Sequence, residues 1–390
     1  MQSLLAWGLA QGANALNIIA GVIVAHLASP YDFARFATLA AALAIISAAL
    51  NPMINEIAQR VSIHRGLELL ALRSRSYIAV CAAIVISICA CASIVTSGLD
   101  ALLIYLLIPV AFVAQSWVLG ILYGLHRMVA SGAVLCVAGV ARVVTLGALI
   151  SVGAAFTGAT ISYLIYFLIT VLCAPYLLSA HIKKSGETSW DTNWRLIIGF
   201  FLLSLPFSVD QPIVQALFTD ISADYAALMT YARSVMLLAS PALTIVYSAS
   251  LQRDSENVAT AKESVSIIKT LTILSSLAFG LAAILWIVHP FLFPLLLGDK
   301  YLHVTPNLAL ALAAIALHVI SYFLVQRLLL SCSWRLCAVL AIPFILQAIL
   351  LASLKSPSIS DLTSTAIAVL TTQALIALWA TTRDHSRRKD

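Results

Sequence analysis

The residues with chemical potential in this chain stand inside stretches that are otherwise apolar. Around position 230, Thr230, Arg233, Ser234, Pro241, Thr244 and Ser248 recur at helical spacing. At about 100° per residue they fall within an arc of about 100°, a polar stripe along one helix with a guanidinium in it. An ionisable side chain in hydrocarbon is costly, so it usually faces a bundle interior or a water-filled cavity. Two readings fit the stripe. It faces a cavity, or the helix packs through small residues and Arg233 bonds backbone carbonyls within its own bundle.

Three other stretches carry the same kind of signal. The first apolar span holds Gln11, Asn14 and Asn17 over an arc of about 120°. The second holds Ser47, Asn51 and Asn55 at four-residue spacing, with Glu56 beside them. The seventh holds Ser204, Ser208, Gln211 and Gln215 on one face, while Asp210 projects roughly 100–140° away. Pro206 and Pro212 make that angle soft, because each removes a backbone bond and can bend the helix. Asp210 and Arg233 both fall in the outer half of consecutive antiparallel spans. They would form a buried ion pair of structural value, or Asp210 would titrate or bind a cation as the coupling residue of a transport cycle. Arg142, in the fifth span, is either a second cation facing a lumen or a structural element of the first half.

Catalysis finds no support in these residues. No Gly-rich phosphate loop, paired catalytic carboxylates, metal-ligand cluster or Ser/His/Asp arrangement sits in a loop large enough to build a site. His64, His126, His181 and His385 are dispersed, and the seven cysteines have neither metal-site nor disulfide-framework spacing. No enzyme activity, cofactor or metal is expected.

The elements that hold the polar groups follow from composition. The chain is 390 residues long, 62% hydrophobic and 10% charged, with mean hydropathy +1.02; soluble domains carry roughly 25% charged residues. A hydrocarbon core about 30 Å thick needs about 20 apolar residues per helix. Twelve spans are expected, at about 3–27, 36–58, 77–96, 101–123, 129–152, 157–180, 196–217, 225–250, 265–288, 303–328, 333–354 and 360–381, with ends uncertain by two to four residues. They are helical because lipid cannot satisfy an open backbone. The first begins almost at Met1 without a charged leader or cleavage site, and reads as an uncleaved helix.

Cut this way, seventeen of the 22 basic residues lie on one side, and the opposite side carries only Arg35, Lys300 and Lys355. The enriched side is read as cytoplasm, with both termini there. The net charge of +6 therefore reports topology and contact with anionic lipid heads, not nucleic-acid binding. An internal repeat is also visible. Asp32-Phe33-Ala34, with Thr38 and Ala40, matches Asp224-Tyr225-Ala226, with Thr230 and Ala232, at an offset of 192 residues. That offset contains six spans, so the halves are parallel repeats. The expected organisation is an N-terminal six-helix lobe over 1–182, a cytoplasmic linker over 183–195, and a C-terminal six-helix lobe over 196–390.

The run Gly21 to Phe36 resembles the first hairpin of bacterial oligosaccharide flippases of the O-antigen (Wzx) type. Gly120-Ile121-Leu122-Tyr123-Gly124-Leu125-His126-Arg127 is similar to that family's fourth inner turn. Asp210, the Asp224-Tyr225-Ala226-Ala227 turn and Leu297-Gly298-Asp299-Lys300-Tyr301 resemble its second-half landmarks. The likeness runs along nearly the whole chain in order. It departs at the first turn, where His26-Leu27-Ala28 replaces a usual basic residue and Phe33 takes a Tyr position.

The resemblance implies a multidrug/oligosaccharidyl-lipid/polysaccharide exporter fold, with two lobes around a central cavity lined by spans one, two, seven and eight. It implies a flippase in the bacterial inner membrane that moves an undecaprenyl-diphosphate-linked oligosaccharide to the periplasmic leaflet. Arg233 would meet the diphosphate, with Asn14, Asn17, Asn51, Gln211 and Gln215 toward the sugars. Its partners would be that substrate, membrane lipids and other membrane proteins of polysaccharide assembly. A cation-coupled multidrug exporter or a peptidoglycan-precursor flippase of the same fold is the alternative.

Overall fold

The computed structural model describes residues 2–64, 102–125, 127–178, 194–239, 262–328 and 334–387. The expected third span (77–96), Lys183 and Lys184 of the linker, and Pro241, Thr244 and Ser248 lie outside them. Every described element is helical and no strand occurs among the described residues. Seven helices are long and apolar enough to cross a membrane, or eight when one bent pair counts as a single span. The protein is an all-α, multi-pass membrane protein.

The chain divides into two compact units, Met1–Ile197 and Ile198–Asp390. The first contains α1 (Gln2–Leu27), α2 (Pro30–His64), α3 (Leu102–Gly124), α4 (Met128–Ser151) and α5 (Ala155–Leu178). Within it α1 packs on α4, α4 on α5, α2 on α3, and α3 on α5. Local sequence sets the joints. Ser29 caps α2 by accepting the Asp32 N–H at 3.1 Å, and donates its hydroxyl to the Asp32 carboxylate at 2.9 Å. Pro30 suits the first helical position, where no N–H is needed. Gly153, at φ 82, ends α4 in the left-handed region that glycine enters without steric cost.

Lipid offers no hydrophobic drive between helices, so close approach through small residues must hold them. Gly120 and Gly124 of α3 provide it. A Cβ at Gly120 would lie 2.9 Å from Ile57 Cβ, and one at Gly124 would lie 2.5 Å from Val61 Cβ and 2.6 Å from the Ala58 carbonyl of α2. The seam joins a core built from Leu43, Ile46, Leu50, Ile57 and Val61 of α2 with Ile108, Ile121 and Leu122 of α3.

The second unit contains α6 (Trp194–Ser208), α7 (Asp210–Leu217), α8 (Thr219–Ala232), α9 (Lys262–Leu297), a 3-10 segment (Asp299–Asn307), α10 (Leu308–Leu328), α11 (Trp334–Leu340), α12 (Ile342–Ser353) and α13 (Ile359–Arg387). Here α10 packs on α13 and α9, α12 on α13, and α8 on α7 and α10. Ser358 and Asp361 repeat the reciprocal cap at the start of α13. On α9 the exposed large apolar residues Ile284, Ile287, Phe291 and Leu295 recur every three or four positions, a lipid-facing stripe.

Two expectations change. The seventh span is not one helix: α6 and α7 meet at Val209 with a bend of 46°, as the proline pair predisposes. The eighth begins at Thr219 rather than near Tyr225, because Phe218 (φ −139, ψ 60) already breaks the chain. Asp224 therefore lies in the second turn of its helix, whereas its repeat partner Asp32 stands in the first turn of α2. Phe33 and Tyr225, and Ala34 and Ala226, are buried in both repeats.

Candidate functional site

The richest polar assembly surrounds the α6–α7 break. Pro206 has no N–H for the carbonyl four residues earlier, and Pro212 none for that of Ser208, so the bend loosens the helical ladder. Three side chains from three other helices bind main-chain oxygens there. Gln373 of α13 donates Nε2–H to the Leu203 carbonyl at 2.6 Å, and Gln347 of α12 donates to that of Pro206 at 3.0 Å. Arg233, directly after α8, donates to that of Phe207 at 2.9 Å. A broken helix in lipid needs such partners, since no solvent satisfies it.

Arg233 also reaches across the break. The same Nη2 lies 2.6 Å from Asp210 Oδ1. Oδ1 accepts the Gln211 N–H at 2.8 Å, and Oδ2 accepts the Tyr225 hydroxyl at 2.8 Å. Asp210 is the only buried acidic side chain among the described residues, and both of its oxygens are engaged. Arg233 thus bonds a backbone carbonyl and pairs with Asp210, both within its own lobe. The guanidinium also lies over the Phe207 ring at 5.2 Å. Phe207 stacks on His318 with centroids 4.4 Å apart, and His318 Nδ1–H donates to Gln373 Oε1 at 3.0 Å.

The other candidates of this lobe separate. Gln211 and Gln215 are 0% and 2% exposed, enclosed by protein. Gln211 donates to the Ser222 carbonyl of α8 at 3.4 Å. The Oε1 atoms of both glutamines lack a donor among the described residues. Thr230 is exposed, whereas Arg233 is half-buried.

The N-terminal lobe holds a second cation in different company. Arg142 of α4 is 3% exposed. Its Nη1–H donates to Asn17 Oδ1 of α1, and its guanidinium lies 3.7 Å from the Tyr163 ring centroid of α5. Tyr166 joins the cluster through its own hydrogen bond with Asn17. No acidic side chain pairs with Arg142 among the described residues. Asn14 and Asn17 are half-buried. Asn51 belongs to α2, and its side chain lies outside the described set. Sequence reasoning passed over Tyr163, Tyr166, His318, Gln347 and Gln373, and read Tyr225 only as part of a repeated motif. His318 was findable, being an ionisable group deep in an apolar span; the tyrosines carry no comparable signal.

The described helices fall into two compact units, one containing a broken span, and several solved structures share this fold. The chain is similar to a MATE transporter crystallised with the ligand MaL6, at 13% identity over 98% of this chain and 95% of that one, TM-score 0.66. It is similar to an outward-facing multidrug resistance MATE family transporter of the MOP superfamily, at 12% identity over 100% and 95%, TM-score 0.65. A third similar structure is a MOP superfamily transporter from Pyrococcus furiosus, described as having a binding pocket of reversed polarity that suggests a different function, at 13% identity over 99% and 93%, TM-score 0.56. The sequence matches no protein-family model and no curated protein.

Proposed function

We propose that the protein is a flippase for an undecaprenyl-diphosphate-linked oligosaccharide, working by alternating access in a bacterial inner membrane with both termini cytoplasmic. One observation carries this reading: Arg142 is a buried guanidinium that, among the described residues, is paired with amide and aromatic groups and no carboxylate. A buried cation without an anion costs several kcal/mol, and a desolvated cation–π contact returns only about 2 kcal/mol. A phosphate oxygen arriving at Arg142 replaces the neutral Asn17 acceptor with an anionic one, turning an ion–dipole bond into an ion pair that supplies the missing counter-charge. The released Asn17 amide and the neighbouring Asn14 then offer donors and acceptors to sugar hydroxyls. Arg233, already neutralised by Asp210, is the poorer phosphate ligand.

The multidrug alternative has the folds of the similar structures in its favour. An uncompensated arginine is of the wrong sign for a cationic drug, which favours the anionic cargo. The deciding experiment compares a deletion strain carrying wild type, Arg142→Ala or Arg142→Lys at matched membrane abundance. Loss of surface glycan with Ala, partial return with Lys and unchanged drug susceptibility are expected. Wild-type glycan with Arg142→Ala overturns the assignment. Altered drug resistance with intact glycan in the deletion strain selects the exporter, and lethal loss of peptidoglycan synthesis selects the precursor flippase.

A further inference from the structure

We infer that Arg233 is a tethered cation: its guanidinium occupies an oxygen-lined monovalent-cation site at the α6–α7 break, supplying from the protein the charge that a free ion would otherwise bring. Two hard oxygen donors of different origin meet one atom. Arg233 Nη2 lies 2.6 Å from a carboxylate oxygen of Asp210 and 2.9 Å from the main-chain carbonyl of Phe207. A carboxylate beside a carbonyl at the C-terminal end of a broken half-helix is a donor set suited to sodium or potassium, and the helix dipole there favours positive charge. Next to the carboxylate in sequence, Gln211 brings a buried Oε1 with no donor among the described residues, a further oxygen of the same type. Both Asp210 oxygens are already spoken for, by Arg233 and the Gln211 N–H on one side and the Tyr225 hydroxyl on the other. A diffusible ion bridging Asp210 Oδ1 and the Phe207 carbonyl would therefore have to displace the guanidinium.

The Asp210–Arg233 pair is neutral without an external ion, so on this inference Asp210 anchors the break rather than coupling transport to a cation gradient. Removing the arginine while keeping the carboxylate unmasks the site. This inference is independent of the cargo proposed above, since it concerns the C-terminal lobe and its readout requires no substrate.

The test uses the full chain purified in detergent, with unfolding temperature measured in sodium, potassium or N-methylglucamine chloride at equal ionic strength, and with guanidinium at low millimolar concentration. Wild type is expected to unfold at the same temperature in all of them. Arg233→Ala is expected to gain a saturable rise of about 2 °C or more with sodium, potassium or guanidinium. The Arg233→Ala/Asp210→Asn double variant is expected to lose that gain. A saturable sodium response in wild type that Asp210→Asn abolishes overturns the inference. So does a folded Arg233→Ala protein indifferent to all three cations, or a gain that survives in the double variant. Should Arg233→Ala not fold, Arg233→Gln is scored in the same way, and the comparison of wild type with Asp210→Asn decides by itself.

Discussion

Removing the carboxylate of Asp210 leaves Arg233 stranded, and the size of the effect follows from the contacts. Asp210→Ala deletes a charge-assisted bond of 2.6 Å to Arg233, one of 2.8 Å from the Tyr225 hydroxyl and one of 2.8 Å from the Gln211 amide. Breaking one partner of a buried pair costs about 3–5 kcal/mol, mostly because the surviving charge has no counter-ion. The Arg233 side chain is 16% exposed, which places the expected loss toward the lower end, about 3 kcal/mol. Arg233→Met alone costs a similar amount, since Asp210 then lacks its cation and the Phe207 carbonyl its donor. The double variant removes both charges and leaves only neutral groups to be satisfied. It should be destabilised by clearly less than the sum of the singles, with a coupling of about 2–3 kcal/mol. Equilibrium unfolding of the four proteins in mixed micelles measures this directly. Additive losses, or single losses below about 1 kcal/mol, would refute the claim that this pair holds the break together.

The glycine seam makes an equally sharp contrast. Gly124→Ala forces a methyl to 2.5 Å from Val61 Cβ and 2.6 Å from a backbone oxygen, costing about 1–3 kcal/mol in unfolding experiments. Gly147→Ala on α4 meets nothing within 4 Å and should be neutral or gain up to about 1 kcal/mol. Gln373→Ala strands the Leu203 carbonyl and Gln347→Ala that of Pro206, at about 1–3 kcal/mol each; hydrogen exchange over α6 should rise in both, and unchanged exchange would show that the clamps are idle.

Much of this was legible in the chain itself. Apolar runs of membrane length fix helices and exclude strands, because the backbone must satisfy itself wherever water is absent. Pro206 and Pro212 signalled that the seventh span can bend. The break between α6 and α7, and the start of α2 at Pro30 behind its Ser29 cap rather than near residue 36, came only with the structure. The glycines at 120 and 124 were read for their resemblance to a turn, although their four-residue spacing was already a packing signal. Asp210 and Arg233 were paired from sequence as one of two alternatives, since both fall at similar depth on consecutive antiparallel spans.

The partners of each charge were not legible. Whether a buried arginine is neutralised depends on residues brought from distant positions, and no local spacing records that. Arg142 meets Asn17 from 125 residues away and the ring of Tyr163 from the next helix, while Leu203 waits for Gln373 from 170 residues away. Helical periodicity tells which residues share a face of one helix, but not which helix that face meets. Sequence alone therefore determined that this is a helical membrane protein with two internal arginines. Only tertiary packing decided that one of them carries its own anion while the other, among the described residues, meets only an amide and an aromatic ring.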